Sequence, residues 1–138
     1  MGDSFGGGVI LVEDLSQQRL PARSLAAVLR QAGIPARLVG FAGAADTEAV
    51  VDEVCASGAT LVVISQLFAH LLTEHLGLAR TLRRQGVGGH ITMVGPLATF
   101  AWVDLLEACP ALDSVLCGEA EAGIVSLVSA ASKGAGWQ

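Results

Sequence analysis

One lysine, three cysteines and a charged fraction of only 15% are the scarcities of this 138-residue chain, and each closes off a class of function. Seven of its eight basic residues are therefore Arg. They are scattered through expected helices on a chain of net charge −5, which leaves no basic stripe for a nucleic-acid backbone. Cys55, Cys109 and Cys117 are odd in number and show no CxxC spacing. Neither a disulfide framework nor a zinc or iron–sulfur site is signalled, and buried thiols are expected. No apolar run approaches the ~18 residues of a membrane span, and the amino terminus lacks the charged-then-apolar order of a signal peptide. A cytoplasmic protein with no membrane partner is the expectation. GxxxxGK[ST] is absent, and the glycines at 86, 88 and 89 precede a strand instead of opening a helix, which argues against a nucleoside triphosphate loop.

What the chain has in quantity is apolar sequence, 52% of its residues. At this length one domain can bury a substantial core, and so few charges imply elements covered on both faces. Residues 9–12, 37–41, 61–64, 90–94 and 112–117 read as strands. Helical spacing appears over 20–30, from a cap at Asp46 or Thr47 to Gly58, over 71–85, over 100–109 up to Pro110, and over 121–129. Five βα units with short connections predict an α/β fold: a doubly wound five-stranded parallel sheet, flavodoxin-like or Rossmann-like, in the order 2-1-3-4-5. Residues 1–8 are expected to be a flexible leader, 9–130 a single domain and 131–138 a flexible tail.

Ligands of such sheets bind at the carboxyl ends of the strands. Ser65-Gln66-Leu67, Gly95-Pro96 and Gly118-Glu119 fall at three of those ends, where small residues let a large molecule approach the backbone. The loops after the first and third strands, at 13–19 and 65–70, are expected to face each other across the crevice. Each motif alone is also what an ordinary strand-end turn contains. Phe100 is expected in the core, whereas Trp102 could equally cover a ligand. His70, five residues past Ser65, is a candidate ligand contact, although a surface or helix-cap role is the more ordinary one. Ser65 lacks the GxSxG elbow of a nucleophile.

Two resemblances follow from these residues. Glu13-Asp14 with Ser16 resembles the acidic pocket of response-regulator receiver domains over roughly the first 35 residues. A receiver needs an aspartate after its third strand and a lysine after its fifth, where this chain has Ser65 and Gly118; its only lysine is Lys133. A degenerate receiver or cobalamin domain, acting as a cofactor-free interaction module, is the alternative reading.

The broader resemblance spans residues 9–128 and rests on 61–67 (LVVISQL), 91–100 (ITMVGPLATF) and 112–121 (LDSVLCGEAE). In that order they resemble the cobalamin-binding domain of cobalamin-dependent radical S-adenosylmethionine enzymes. The resemblance implies cobalamin as cofactor, its corrin over the strand ends and its nucleotide tail in a groove between sheet and helix. It implies contacts from Glu13, Asp14, Leu15, Ser16, Ser65, Gln66, Leu67, His70, Gly95, Pro96, Ala98, Thr99, Gly118 and Glu119. Ser65 would bond a tail heteroatom, Gly95 and Ala98 would leave volume, Thr99 and backbone amides would meet phosphate or ribose, and Gly118 would admit the corrin edge.

The Asp-x-His-x-x-Gly loop that supplies an axial histidine in methionine synthase and the mutases is replaced by Glu13-Asp-Leu-Ser-Gln-Gln-Arg19. Cobalt is therefore expected without that ligand. Pro96 stands where the family has a second glycine, and is expected to narrow the slot. No CxxxCxxC is present, so a radical cluster, or a methyltransferase active site, would belong to a catalytic partner protein or domain.

Overall fold

The structure, a computed structural model, describes residues 8–14, 20–65 and 72–132. Five parallel strands, β1 (Val9–Asp14), β2 (Ala36–Phe41), β3 (Leu61–Ser65), β4 (His90–Val94) and β5 (Ser114–Leu116), form one sheet in the order β2-β1-β3-β4-β5. This is the flavodoxin-like, doubly wound order that the βα alternation predicts. Val12 lies beside Ile64, Ser65 beside Val94, and Val94 beside Leu116, so the strands end together along one edge.

Alternation along the strands sorts the core into two layers. Val9, Leu11, Leu61, Val63 and Val94 face α1 (Leu20–Gln31) and α6 (Ala120–Ser132), packing on Leu25, Leu29, Ile124 and Val128. Ile10, Val12, Val62, Ile64, Ile91 and Met93 face the other way, against α2 (Thr47–Ser57), α3 (Leu72–Arg84) and α5 (Trp102–Ala108). All five residues of β3 and of β4 are buried, which is why 61–64 reads as an unbroken apolar run; the polar members of β4, His90 and Thr92, are bonded to Ser114 of β5.

Four local expectations change. Asp46 stands at the N-cap of α2 without a capping bond; its Oδ2 accepts the Ala42 N–H at 2.7 Å instead, tying down the preceding turn. The helix expected over 100–109 is two helices, α4 (Pro96–Phe100) and α5, separated at Ala101 with φ −113° and ψ 25°. β5 is shorter than expected because Ala111 and Leu112 turn into the core before pairing begins at Ser114. Helix α6 runs on to Ser132, three residues past its expected end.

The cysteines also divide. Cys109 is buried, whereas Cys55 lies on the solvent side of α2 and Cys117 beyond the end of β5, both exposed.

The amino-terminal edge of the sheet is held by a polar network. Arg83 of α3 donates to the carbonyls of Val87, Gly89 and Ala111 and to the Asp113 carboxylate, whose Oδ2 also accepts the Ile91 N–H. Buried His90 lies with Nε2 2.8 Å from Ser114 Oγ, which donates in turn to Thr92 Oγ1. Burial is the main cause of a His90 pKa below the ordinary 6.5; Arg83 adds to it and Asp113 opposes it. The unfolded chain takes up a proton at His90 below pH 6.5 that the folded chain resists, so stability falls as pH drops through that range. Thermal melts against pH should show this slope, and His90→Gln, which keeps a polar atom toward Ser114, should flatten it.

Candidate functional site

The carboxyl edge of the sheet carries a row of residues on the α1/α6 side: Glu13 of β1, Ser65 of β3, Val94 of β4 and Leu116 of β5. Alternation puts Ser65 on the same side as Leu61 and Val63, and the register places it beside Val94. In front of this row lies a cleft of about 400 Å³ between α1, the start of α4 and the turn into α6. Its walls are Leu25, Val94, Gly95, Pro96, Thr99, Gly118, Glu119, Ala120 and Glu121.

The local sequence explains the opening. Gly95, at φ 127°, turns the chain out of β4 and stands at the N-cap of α4. Pro96 follows at the first helical position, where its fixed φ suits the helix and a missing N–H breaks no helical bond. The proline is thus a helix starter, a signal legible in Gly95-Pro96 that the expectation of a single 100–109 helix passed over. On the opposite wall Gly118 has φ 75°, a left-handed conformation that glycine adopts without strain. A Cβ added there would meet nothing within 4 Å, so the missing side chain is open cleft space.

Thr99 ties the two walls together. Its Oγ1 accepts the Gly118 N–H at 2.9 Å, which removes that amide from the donors expected for a phosphate or ribose. Because the hydroxyl is the acceptor in this bond, its own hydrogen is left to donate into the cleft.

Glu13 is 7% exposed at the end of β1. Its Oε1 lies 3.5 Å from Arg23 Nε of α1, an ion pair without hydrogen-bond geometry. Among the described residues this buried oxygen has no hydrogen-bond partner.

Of the residues expected to contact a cofactor, Gly95, Pro96, Thr99, Gly118 and Glu119 line the cleft together, and Glu13 and Ser65 lie in the row behind it. Asp14 ends β1 beside Phe41 of β2. Ala98 does not line the cleft: it is fully buried in the layer on the opposite side of the sheet. Leu15, Ser16, Gln66, Leu67 and His70 lie outside the described residues. Phe100 is not in the core but 90% exposed, because α4 turns Ala98 inward and leaves its last residue in solvent. Leu25, Val94, Ala120 and Glu121 are wall residues that sequence reasoning missed. His75 is buried, its ring 5.2 Å from that of Phe41, and His90 sits at the far edge of the sheet. Among the described residues no group of three or more His, Cys, Asp or Glu side chains could hold a metal ion directly.

The model of the B12-binding domain matches residues 9–128, from the start of β1 to the last turns of α6. The chain belongs to the B12-binding domain family. Cobalamin is the cofactor that this family indicates. No curated protein matches the chain.

Among solved structures, the receiver domain of the Francisella response regulator 1452 is similar at a TM-score of 0.64 and 14% identity, covering 91% of this chain and 96% of that one. The Salmonella typhimurium RcsB response regulator is similar at a TM-score of 0.61 and 15% identity, covering 95% of this chain and 64% of that one. At such identities these likenesses show a shared fold alone. Among the described residues no helix is long and apolar enough to cross a membrane.

Proposed function

We propose that the chain is a cobalamin carrier, a domain or subunit that presents the corrinoid without a histidine on its lower face to a radical S-adenosylmethionine or methyltransferase partner. The observation that carries this reading is the coincidence of the family match over residues 9–128 with a cleft walled by small residues at the strand ends. The residues suit the group. The cleft, about 400 Å³, has room for the nucleotide end of the molecule and not for the corrin, which would lie over the strand ends.

Leu25, Val94 and Ala120 offer that end apolar contact, the Thr99 hydroxyl a donor, and Glu119 and Glu121 acceptors for ribose hydroxyls or side-chain amides. Glu13 Oε1 is a further acceptor, already desolvated. Bound cobalamin supplies a cobalt centre able to accept a methyl group and pass it on. Absence of CxxxCxxC from the sequence, and of any Ser–His–Asp arrangement at the cleft among the described residues, supports placing the reaction itself on a partner.

Titrating hydroxocobalamin and methylcobalamin into the purified protein tests the reading by absorbance and by colour retained through gel filtration. The expected result is stoichiometric retention with a base-off-like spectrum that His70→Ala leaves unchanged. Retention of neither form overturns the reading in favour of a cofactor-free interaction module.

A further inference from the structure

Phe100, Trp102 and Val103 are 90%, 47% and 45% exposed, and they are three of the four large apolar side chains that the described residues leave in solvent. They lie within four positions of one another on α4 and α5. The same short helix α4 supplies Pro96 and Thr99 to the cleft wall. A phenylalanine left in water forgoes about 2 kcal/mol of burial, and clustered exposure of this kind marks a contact surface.

The charges beside it indicate what makes that contact. Val103 and Glu107 are one turn apart on the solvent side of α5, with Asp104 between them, and all three are exposed. From residue 85 to residue 132 the chain has five carboxylates and no lysine or arginine. Of these, Asp113 is paired with Arg83, and Arg80 of α3 donates to the Ala108 carbonyl at the far end of α5, whereas Asp104 and Glu107 beside the apolar patch have no ion-pair partner among the described residues.

From this we infer that the α4–α5 shoulder is a docking surface for a second protein whose contact face has an apolar socket ringed by Lys or Arg. The inference rests on the carrier reading in one respect, that this protein is the one which uses the cofactor in the adjoining cleft. Aromatic side chains at such a centre would supply the affinity, and the acidic border the orientation and the rate of encounter. A second copy of this chain is the poorer occupant, because a two-fold contact would set Asp104 and Glu107 against their own equivalents.

Trp102 reports on the patch directly, since Trp137→Phe in the full chain leaves it as the sole tryptophan. The probe is an amphipathic peptide of leucine and lysine about 18 residues long, enough to hold a helix; its counterpart replaces lysine by glutamate. The leucine–lysine peptide should give a saturable blue shift of Trp102 emission that the leucine–glutamate peptide does not. Phe100→Ser, and separately Asp104→Lys with Glu107→Lys, should weaken it at least about tenfold, or ~1.4 kcal/mol. Glu48→Lys with Asp52→Lys, on the distant helix α2, should leave it unchanged.

Binding of both peptides alike, binding of neither, equal loss in the α2 variant, or a sedimenting dimer that shifts Trp102 without peptide would each overturn the proposal. Cobalamin retention measured on the same variants keeps the two readings apart. Patch variants that hold cobalamin but lose the peptide support docking, whereas a wild-type protein that binds peptide but not cobalamin fails only the carrier reading.

Discussion

Replacing Gly118 by leucine is expected to weaken cobalamin retention at least about tenfold, the factor that ~1.4 kcal/mol of steric exclusion produces. Two effects act at this position and a pair of variants separates them. Any side chain at φ 75° strains the backbone, which costs about 1–2 kcal/mol of stability. A Cβ alone, however, would project into space where nothing lies within 4 Å. Gly118→Ala should therefore lower the melting temperature while the protein still retains the cofactor, and Gly118→Leu should show the same destabilisation with the colour lost on gel filtration. Equal retention by both variants would place the cofactor elsewhere.

The other large effect lies at the opposite edge of the sheet. Arg83→Ala should destabilise the fold by about 2–3 kcal/mol, seen as a lower urea midpoint with an unchanged slope. The guanidinium donates to three backbone carbonyls and the Asp113 carboxylate, joining α3, the turn before β4 and the segment entering β5. Most of the loss comes from acceptors left without donors. Its side chain is about one-third exposed, so water can reach part of the site and the loss stays below that of a fully buried pair. Arg83→Lys keeps the charge but not the planar fork, and should recover only part of the stability.

The layered fold was legible because burial on two faces leaves a direct trace in sequence. β3 is apolar from Leu61 to Ile64 and β4 carries Ile91, Met93 and Val94, every residue of both strands is buried, and their ends at Ser65 and Val94 are legible to within a residue. The edge strand β5 was overdrawn because Leu112 is apolar for a different reason, packing into the core below the sheet. Phe100 is expected in the core because an aromatic residue at a helix start usually packs as a core or staple contact, but it ends α4 instead, and the break at Ala101 has no residue signature of its own. The cleft shows the same limit. Gly95 and Gly118 announce themselves as strand-end glycines, but Leu25 reaches the cleft only because α1 and α6 cover one side of the sheet. That juxtaposition is a property of the crossovers and not of any local pattern. Ala98 shows the converse, a small residue in a promising stretch whose volume is used by the core.

The Thr99–Gly118 bond spans two walls that are otherwise joined through the sheet, while the bonds of Arg83, Asp113 and His90 gather at the other end. Integrity and ligand capacity therefore reside at opposite poles of one sheet, and selection can act on them separately. Descendants of such a sequence could lose the cofactor through one or two changes at the cleft and still be made, fold and accumulate. Loss of Arg83 is read in yield and melting temperature, whereas loss of the cofactor is read in colour even where the fold is kept.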